Sequence, residues 1–142
     1  MSPGASEDLR VVLDTNVLIS AFTHHHPGIP FQIWKMAIDR RYRLLSSPTL
    51  VAEVADVLRR KFLWDEERAR ERVRFLAKTA EMVVPKVTLH VVSDEDDSRI
   101  LECAVAGKAG LIVSSDRHLR KLESYKGIGI VTPIDFRRIL ST

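Results

Sequence analysis

Four acidic side chains, Asp14, Glu53, Asp97 and Asp116, have the types and placement to do chemistry together. Asp14 opens the triplet Asp14-Thr15-Asn16, a polar interruption of an apolar run that starts at Val11 and ends at Ile19. Burying a carboxylate in such a run is costly unless something pairs with it. Asp116 follows the apolar residues 111–113 after only Ser114 and Ser115. Asp97 ends the segment SDEDD and precedes the helical spacing of Ile100, Leu101, Ala104 and Val105. Glu53 lies at the margin of the apolar arc formed by Leu50, Val51, Val54 and Leu58, whereas Asp56, Arg59 and Arg60 fall on the opposite side of the same helical wheel. Carboxylates brought to one place repel, so some take up protons or a cation neutralises them. Ligands that are all oxygen suit Mg²⁺ or Mn²⁺, while zinc favours His or Cys. Such an ion lowers the pKa of a bound water and stabilises charge developing on a phosphate.

The elements that must position these acids alternate. Short apolar runs at 11–13, 44–45, 82–84, 111–113 and 128–131 read as strands buried on both faces. Helical patterns lie at 31–40, 48–62, 65–80, 97–106, 117–124 and 133–140, with a short helix starting at Asn16. Alternating β and α units predict a central parallel sheet covered by helices. In such a sheet, ligands bind beyond the carboxyl ends of the strands. Asp14 and Asp116 fall at strand ends there, and the helix starts near Glu53 and Asp97 face the same edge. Ser47-Pro48 and Thr132-Pro133 read as N-caps followed by proline, and Gly107 as a helix stop. Residues 87–92, after Pro85, fit either a strand or a connection.

The composition is that of a globular protein: 142 residues, 45% hydrophobic and 29% charged. The length suits one domain over residues 9–142, after an unstructured lead-in at 1–8. Its 22 Lys and Arg against 19 Asp and Glu give a net charge of +3, a mild excess that permits a polyanionic partner without demanding one. Cys103 is the only cysteine, so no internal disulfide can form. No apolar run approaches the roughly 18 residues that a membrane span needs. The expected setting is the cytoplasm, without membrane association.

Together these residues resemble the PIN-domain family of ribonucleases. The resemblance runs through DTNVLIS at 14–20, Glu53 in a mid-chain helix, DEDDSRILECA at 94–104, VSSD at 113–116 and IVTPIDF at 130–136. It spans nearly the whole chain and is closest to the VapC-like toxin components of prokaryotic toxin–antitoxin pairs. It implies a three-layer α/β/α fold, a VapC-like metal-dependent endoribonuclease acting on single-stranded RNA with Mg²⁺ or Mn²⁺, and a small antitoxin partner. Carried over, Asp14, Glu53, Asp97 and Asp116 match the acidic quartet, with Asp14, Asp97 and Asp116 holding the metal and Glu53 managing the water. Asn16 and Ser114 match the surrounding polar positions. Ser98 departs from the asparagine often found after the third acid, and Asp94 or Asp96 can share the role given to Asp97. Arg117, Arg120 and Lys121, just after Asp116, are candidates for RNA phosphate contacts.

Blander roles compete. Asp14 and Asp116 can be helix caps, and Glu53 a solvated helix residue. The histidines at 24–26 suit a solvated loop better than a metal site. Residues 66–74 read as a solvated charged face, and Trp34 and Trp64 as core anchors. A non-catalytic RNA- or protein-binding domain of this fold, or an aspartate-based phosphotransfer protein, are the alternative functions. The helical region 31–62, with Phe31, Ile33, Trp34, Met36 and Ile38, carries more bulky apolar side chains than one helix face usually buries; it is the candidate antitoxin-docking or homodimer surface, the alternative being that these residues fill the core.

Overall fold

A computed structural model describes residues 8–24 and 28–141. Along the chain run β1 (Arg10–Leu13), α1 (Thr15–Thr23), α2 (Ile29–Ile38), β2 (Arg43–Ser46), α3 (Pro48–Arg60), α4 (Glu66–Thr79), β3 (Glu81–Met82), α5 (Glu95–Ala106), β4 (Leu111–Val113), α6 (Arg117–Arg120), β5 (Ser124–Tyr125), β6 (Ile128–Val131) and α7 (Pro133–Leu140). The six strands form one sheet in the order β3-β2-β1-β4-β6-β5. Every pairing is parallel except β5 with β6. This is the helix-covered, mostly parallel sheet expected from the alternating pattern, with one antiparallel edge.

The inner strands β1, β2, β4 and β6 are largely apolar because both faces of the sheet are covered there. Val11, Leu13, Leu44 and Val113 pack on one side with Leu18, Trp34, Val54, Leu58, Leu76 and Phe136, contributed by α1, α2, α3, α4 and α7. Val12, Leu45, Ile112 and Ile130 pack on the other with Leu50, Ile100, Leu101, Cys103 and Leu119, chiefly from α5 and α6. Successive residues of β1 thus serve opposite cores, as the two-residue period of a strand requires.

Local chemistry sets most boundaries. The Ser47 hydroxyl accepts from the Leu50 amide at 3.2 Å, and Thr132 from the Asp135 amide at 3.2 Å, each with proline in the first turn. Several limits differ from those predicted. α1 begins at Thr15, because Asp14 is its cap. α2 begins at Ile29 and α4 at Glu66, after the cap Asp65. α5 begins two residues before Asp97, since Asp94 accepts from the amides of Asp96 and Asp97. The helix predicted over 117–124 stops at Arg120, and the chain turns into β5 instead. Residues 87–92 form neither helix nor strand. Of the lead-in expected at 1–8, only Asp8 lies within the described residues, as does only His24 of the histidine stretch at 24–26. No helix among the described residues is long and apolar enough to cross a membrane.

Candidate active site

The strand order reverses between β1 and β4. From β1 the chain builds outward through β2 and β3, then returns to the other side of β1 for β4. Such a reversal opens a crevice at the carboxyl edge. β1 ends at Leu13 opposite Val113, the end of β4. Asp14 and Ser114 are therefore neighbours immediately beyond the paired strands, joined by an Asp14 amide bond to the Val113 carbonyl at 2.9 Å.

Asp14 is buried and both of its oxygens are engaged. Oδ2 accepts from the Ser114 hydroxyl at 2.6 Å; Oδ1 accepts from the Asn16 amide at 3.3 Å and, weakly, from the Thr15 hydroxyl at 3.4 Å. Burial raises its pKa, and the Asp116 charge adds to that, while the Ser114, Asn16 and Thr15 donors oppose it. Asn16 thus acts through its backbone, and its side chain is exposed. Ser114 binds two partners at once: it donates to Asp14 and accepts from the Asp116 amide at 3.0 Å.

Asp97 comes from the first turn of α5. It is 5% exposed, and neither of its oxygens accepts a hydrogen bond among the described residues. Its Oδ2 is one of two buried side-chain polar atoms left without a partner among the described residues. Burial pushes its carboxyl up to about 6, reinforced by the charges of Asp116, Asp94, Asp14 and Asp96. Glu53, on α3, is half-buried and pushed up to about 7. Burial is the main cause, followed by its apposition to Asp96; Thr15 opposes the shift and Asp14 adds to it. Asp116 offers Oδ1 to the amides of His118 and Leu119, capping α6.

The crevice therefore brings Asp14, Asp97 and Asp116 into mutual electrostatic range, with Glu53 in range of Asp14, each from a different αβ unit. It also places Asp96 against Glu53. The sequence left Asp94 and Asp96 open as alternatives; here Asp94 caps α5 and Asp96 reaches Glu53. Asp56 stands apart, exposed and paired with Arg60 at 2.5 Å. Ser98 is buried, with its hydroxyl toward the Val92 carbonyl at 3.4 Å. Arg117, Arg120 and Lys121 are exposed and make no ion pair among the described residues.

Among the described residues, no three His, Cys, Asp or Glu side chains are gathered tightly enough to form a ready-made metal cage. The donor chemistry nevertheless fits a hard divalent cation. All donors are oxygens, one buried oxygen is unsatisfied, and burial and mutual repulsion raise three of the carboxyls. Mg²⁺ keeps several waters and commonly takes only one or two protein carboxylates directly, so a loose acidic crevice can serve it.

Comparison with known proteins identifies the family. The PIN domain family profile matches residues 10–118. The chain belongs to the PIN-domain family. Protein MJ1680 of Methanocaldococcus jannaschii is 29% identical over 118 residues, covering 80% of this PIN protein and 75% of that one. The structure of VapBC2 from Rickettsia felis bound to a promoter DNA fragment matches with a TM-score of 0.62 at 13% identity, covering 87% of this chain and 98% of that one. PAE2754 from Pyrobaculum aerophilum matches with a TM-score of 0.62 at 14% identity, covering 99% and 94%. At such identities the two structures share the PIN fold with this chain. They do not by themselves assign its residues.

Proposed function

We propose that this PIN protein is a metal-dependent endoribonuclease that hydrolyses single-stranded RNA at the carboxyl-edge crevice. The observation that carries the reading is the unsatisfied, buried carboxylate of Asp97 in a ring of acids contributed by four separate units. A fold does not maintain such a charge for stability, because an uncompensated buried carboxylate is destabilising. Asp14, Asp97 and Asp116 would hold Mg²⁺ or Mn²⁺. When bound, the ion supplies an acidified water and charge stabilisation at phosphorus.

Glu53, whose carboxyl lies near neutrality, is suited to take the proton from the attacking water. The water oxygen forms the new bond to phosphorus, the ester bond to the departing ribose oxygen breaks, and a proton returns to that oxygen. Ser114 fixes Asp14 in one orientation and ties it to the Asp116 backbone. Arg117, Arg120 and Lys121 would meet phosphates flanking the cut. A phosphotransfer role is less well supported, since Asn16 rather than a second acid stands two residues after Asp14.

The VapBC2 likeness and the family support a toxin role, in which a small antitoxin restrains the enzyme in the cytoplasm. Asp14→Asn and Asp116→Asn should each abolish Mg²⁺-dependent cleavage of single-stranded RNA while far-UV circular dichroism is unchanged, and Asp56→Asn should cleave like the parent. Full activity in the Asp14→Asn protein would overturn the site.

A further inference from the structure

Helix α4 carries a second cationic feature that the crevice does not use. Its acids Glu66 and Glu67 pair with Arg59 and Arg70. Arg68 and Arg72 are left out of this network: among the described residues neither guanidinium makes an ion pair or a hydrogen bond. Instead, Arg68 lies over the Trp64 ring at 3.8 Å and Arg72 over the Phe22 ring at 5.0 Å. The seat of Arg72 is rigid, because Phe22 meets Trp34 edge-on at 5.0 Å and Trp34 meets Phe75 edge-on at 5.7 Å.

Two like charges at this four-residue spacing disfavour each other. Arg72 is also partly buried, and burial together with the Arg68 charge disfavours its ionised form. The rings beneath them stabilise the two cations, but among the described residues no acid is paired with either guanidinium, so both are open to an anion from outside the chain. A guanidinium stacked on a ring still presents its N–H edge, and that edge matches the oxygens of a phosphate or carboxylate.

The position of this pair indicates which anion. Asp14 caps the start of α1, and Phe22 stands in the last turn of the same helix. At 1.5 Å of rise per residue, α1 carries Phe22 roughly 12 Å from the acids. A stacked nucleic-acid strand advances about 3.4 Å per nucleotide, so about four nucleotides span that length. We propose that Arg68 and Arg72 form a phosphate-binding subsite that holds the RNA strand some four nucleotides from the scissile bond, with α1 as the spacer. This rests on the ribonuclease reading of the crevice and adds an anchor remote from Arg117, Arg120 and Lys121.

The test is the salt dependence of binding to a single-stranded RNA oligonucleotide, read by fluorescence anisotropy in a chelating buffer where the strand is not cut. Arg68→Met and Arg72→Met keep the stacked aliphatic stem and remove the charge. Each should flatten the slope of log affinity against log salt by roughly 0.7, and the double variant by roughly 1.4. If the parent binds RNA with a normal slope and the double variant matches it, the subsite is wrong while the ribonuclease reading stands. The subsite is equally wrong if the pair instead governs binding of an acidic peptide such as oligoglutamate and leaves the RNA slope unchanged. If the parent chain shows no salt-dependent RNA binding at all, the ribonuclease reading itself fails.

Discussion

A single oxygen, Oδ2 of Asp97, puts the proposed site at odds with the stability of the chain. Replacing that carboxylate by an amide removes an unsatisfied buried charge, so Asp97→Asn should raise the melting temperature of the metal-free protein and abolish its stabilisation by Mg²⁺. A lower melting temperature for the variant in chelator would show that the carboxylate is satisfied. The same crowding fixes a pH dependence. In the folded chain, Glu53 holds its proton to about pH 7 and Asp97 to about pH 6, against ordinary values of 4.5 and 3.8. As pH rises through the ordinary values, the unfolded chain ionises first. The stability these two groups provide is thus complete at low pH and is lost progressively up to about pH 7. Glu81 runs the other way, held low by Arg10, and Glu102 is held low by Arg99 against the effect of its burial. The contribution of these two is lost as pH falls below the ordinary carboxylate range. Chemical denaturation in chelator should therefore show stability declining between about pH 5 and 7, and saturating Mg²⁺ should flatten that decline. The positions of Asp14, Asp97 and Asp116 were legible in the sequence because each stands where a β or α run begins or ends. The approach of Asp96 to Glu53 was not. Three acids share the first turn of α5, and only the rotation of α5 against α3 decides which one turns inward.

At the scale of elements, the caps carry both structure and site. Asp94 holds the first turn of α5 through two amides, and that turn presents Asp96 and Asp97. Asp94→Ala should cost about 1 kcal/mol in denaturant unfolding and weaken Mg²⁺ binding more than Asp56→Asn does; an Asp94→Ala chain with unchanged stability would remove the capping role. Where an element announced itself by a cap or a long apolar period, the sequence located it within a few residues, as with α3, α4 and α7. The failures are short pieces. α6 ends after four residues, and β5 exists only because Ser124 and Tyr125 lie against Gly129 and Ile128. No two-residue strand has a period to read, so tertiary pairing decides it. The run at 66–74 is largely the solvated face expected, with Glu66, Glu67, Arg68, Arg70, Glu71 and Arg74 exposed, but Ala69 is fully buried and Arg72 lies on the Phe22 ring, on the side where the helix packs inward.

Taken whole, the molecule shows which surfaces remain for partners. The helical region 31–62 was expected to expose its bulky side chains, but Ile33 and Trp34 fill the core and Tyr42 bonds the Ile33 carbonyl beneath them. What stays outside is Ile38, together with Phe62, Leu63 and Phe75 from the α3–α4 hairpin. Leu63 is 84% exposed and holds a left-handed φ of 55°, a conformation costing a leucine about 1 kcal/mol or more. A second copy or an antitoxin covering this hairpin would repay that cost. Light scattering of the parent should exceed the mass of one chain, and Leu63→Asp should return it to a monomer; a parent that is strictly monomeric would show that the hairpin does not join two copies. The outer strands of the sheet, β3 and β5, impose a different limit. Each is only two residues long, and Glu81 on β3 is held by Arg10 at 2.5 Å. A rim that ends so abruptly gives an incoming β-segment almost no backbone ladder to copy. Growth into open-ended fibres by adding strand to strand is therefore disfavoured at both margins.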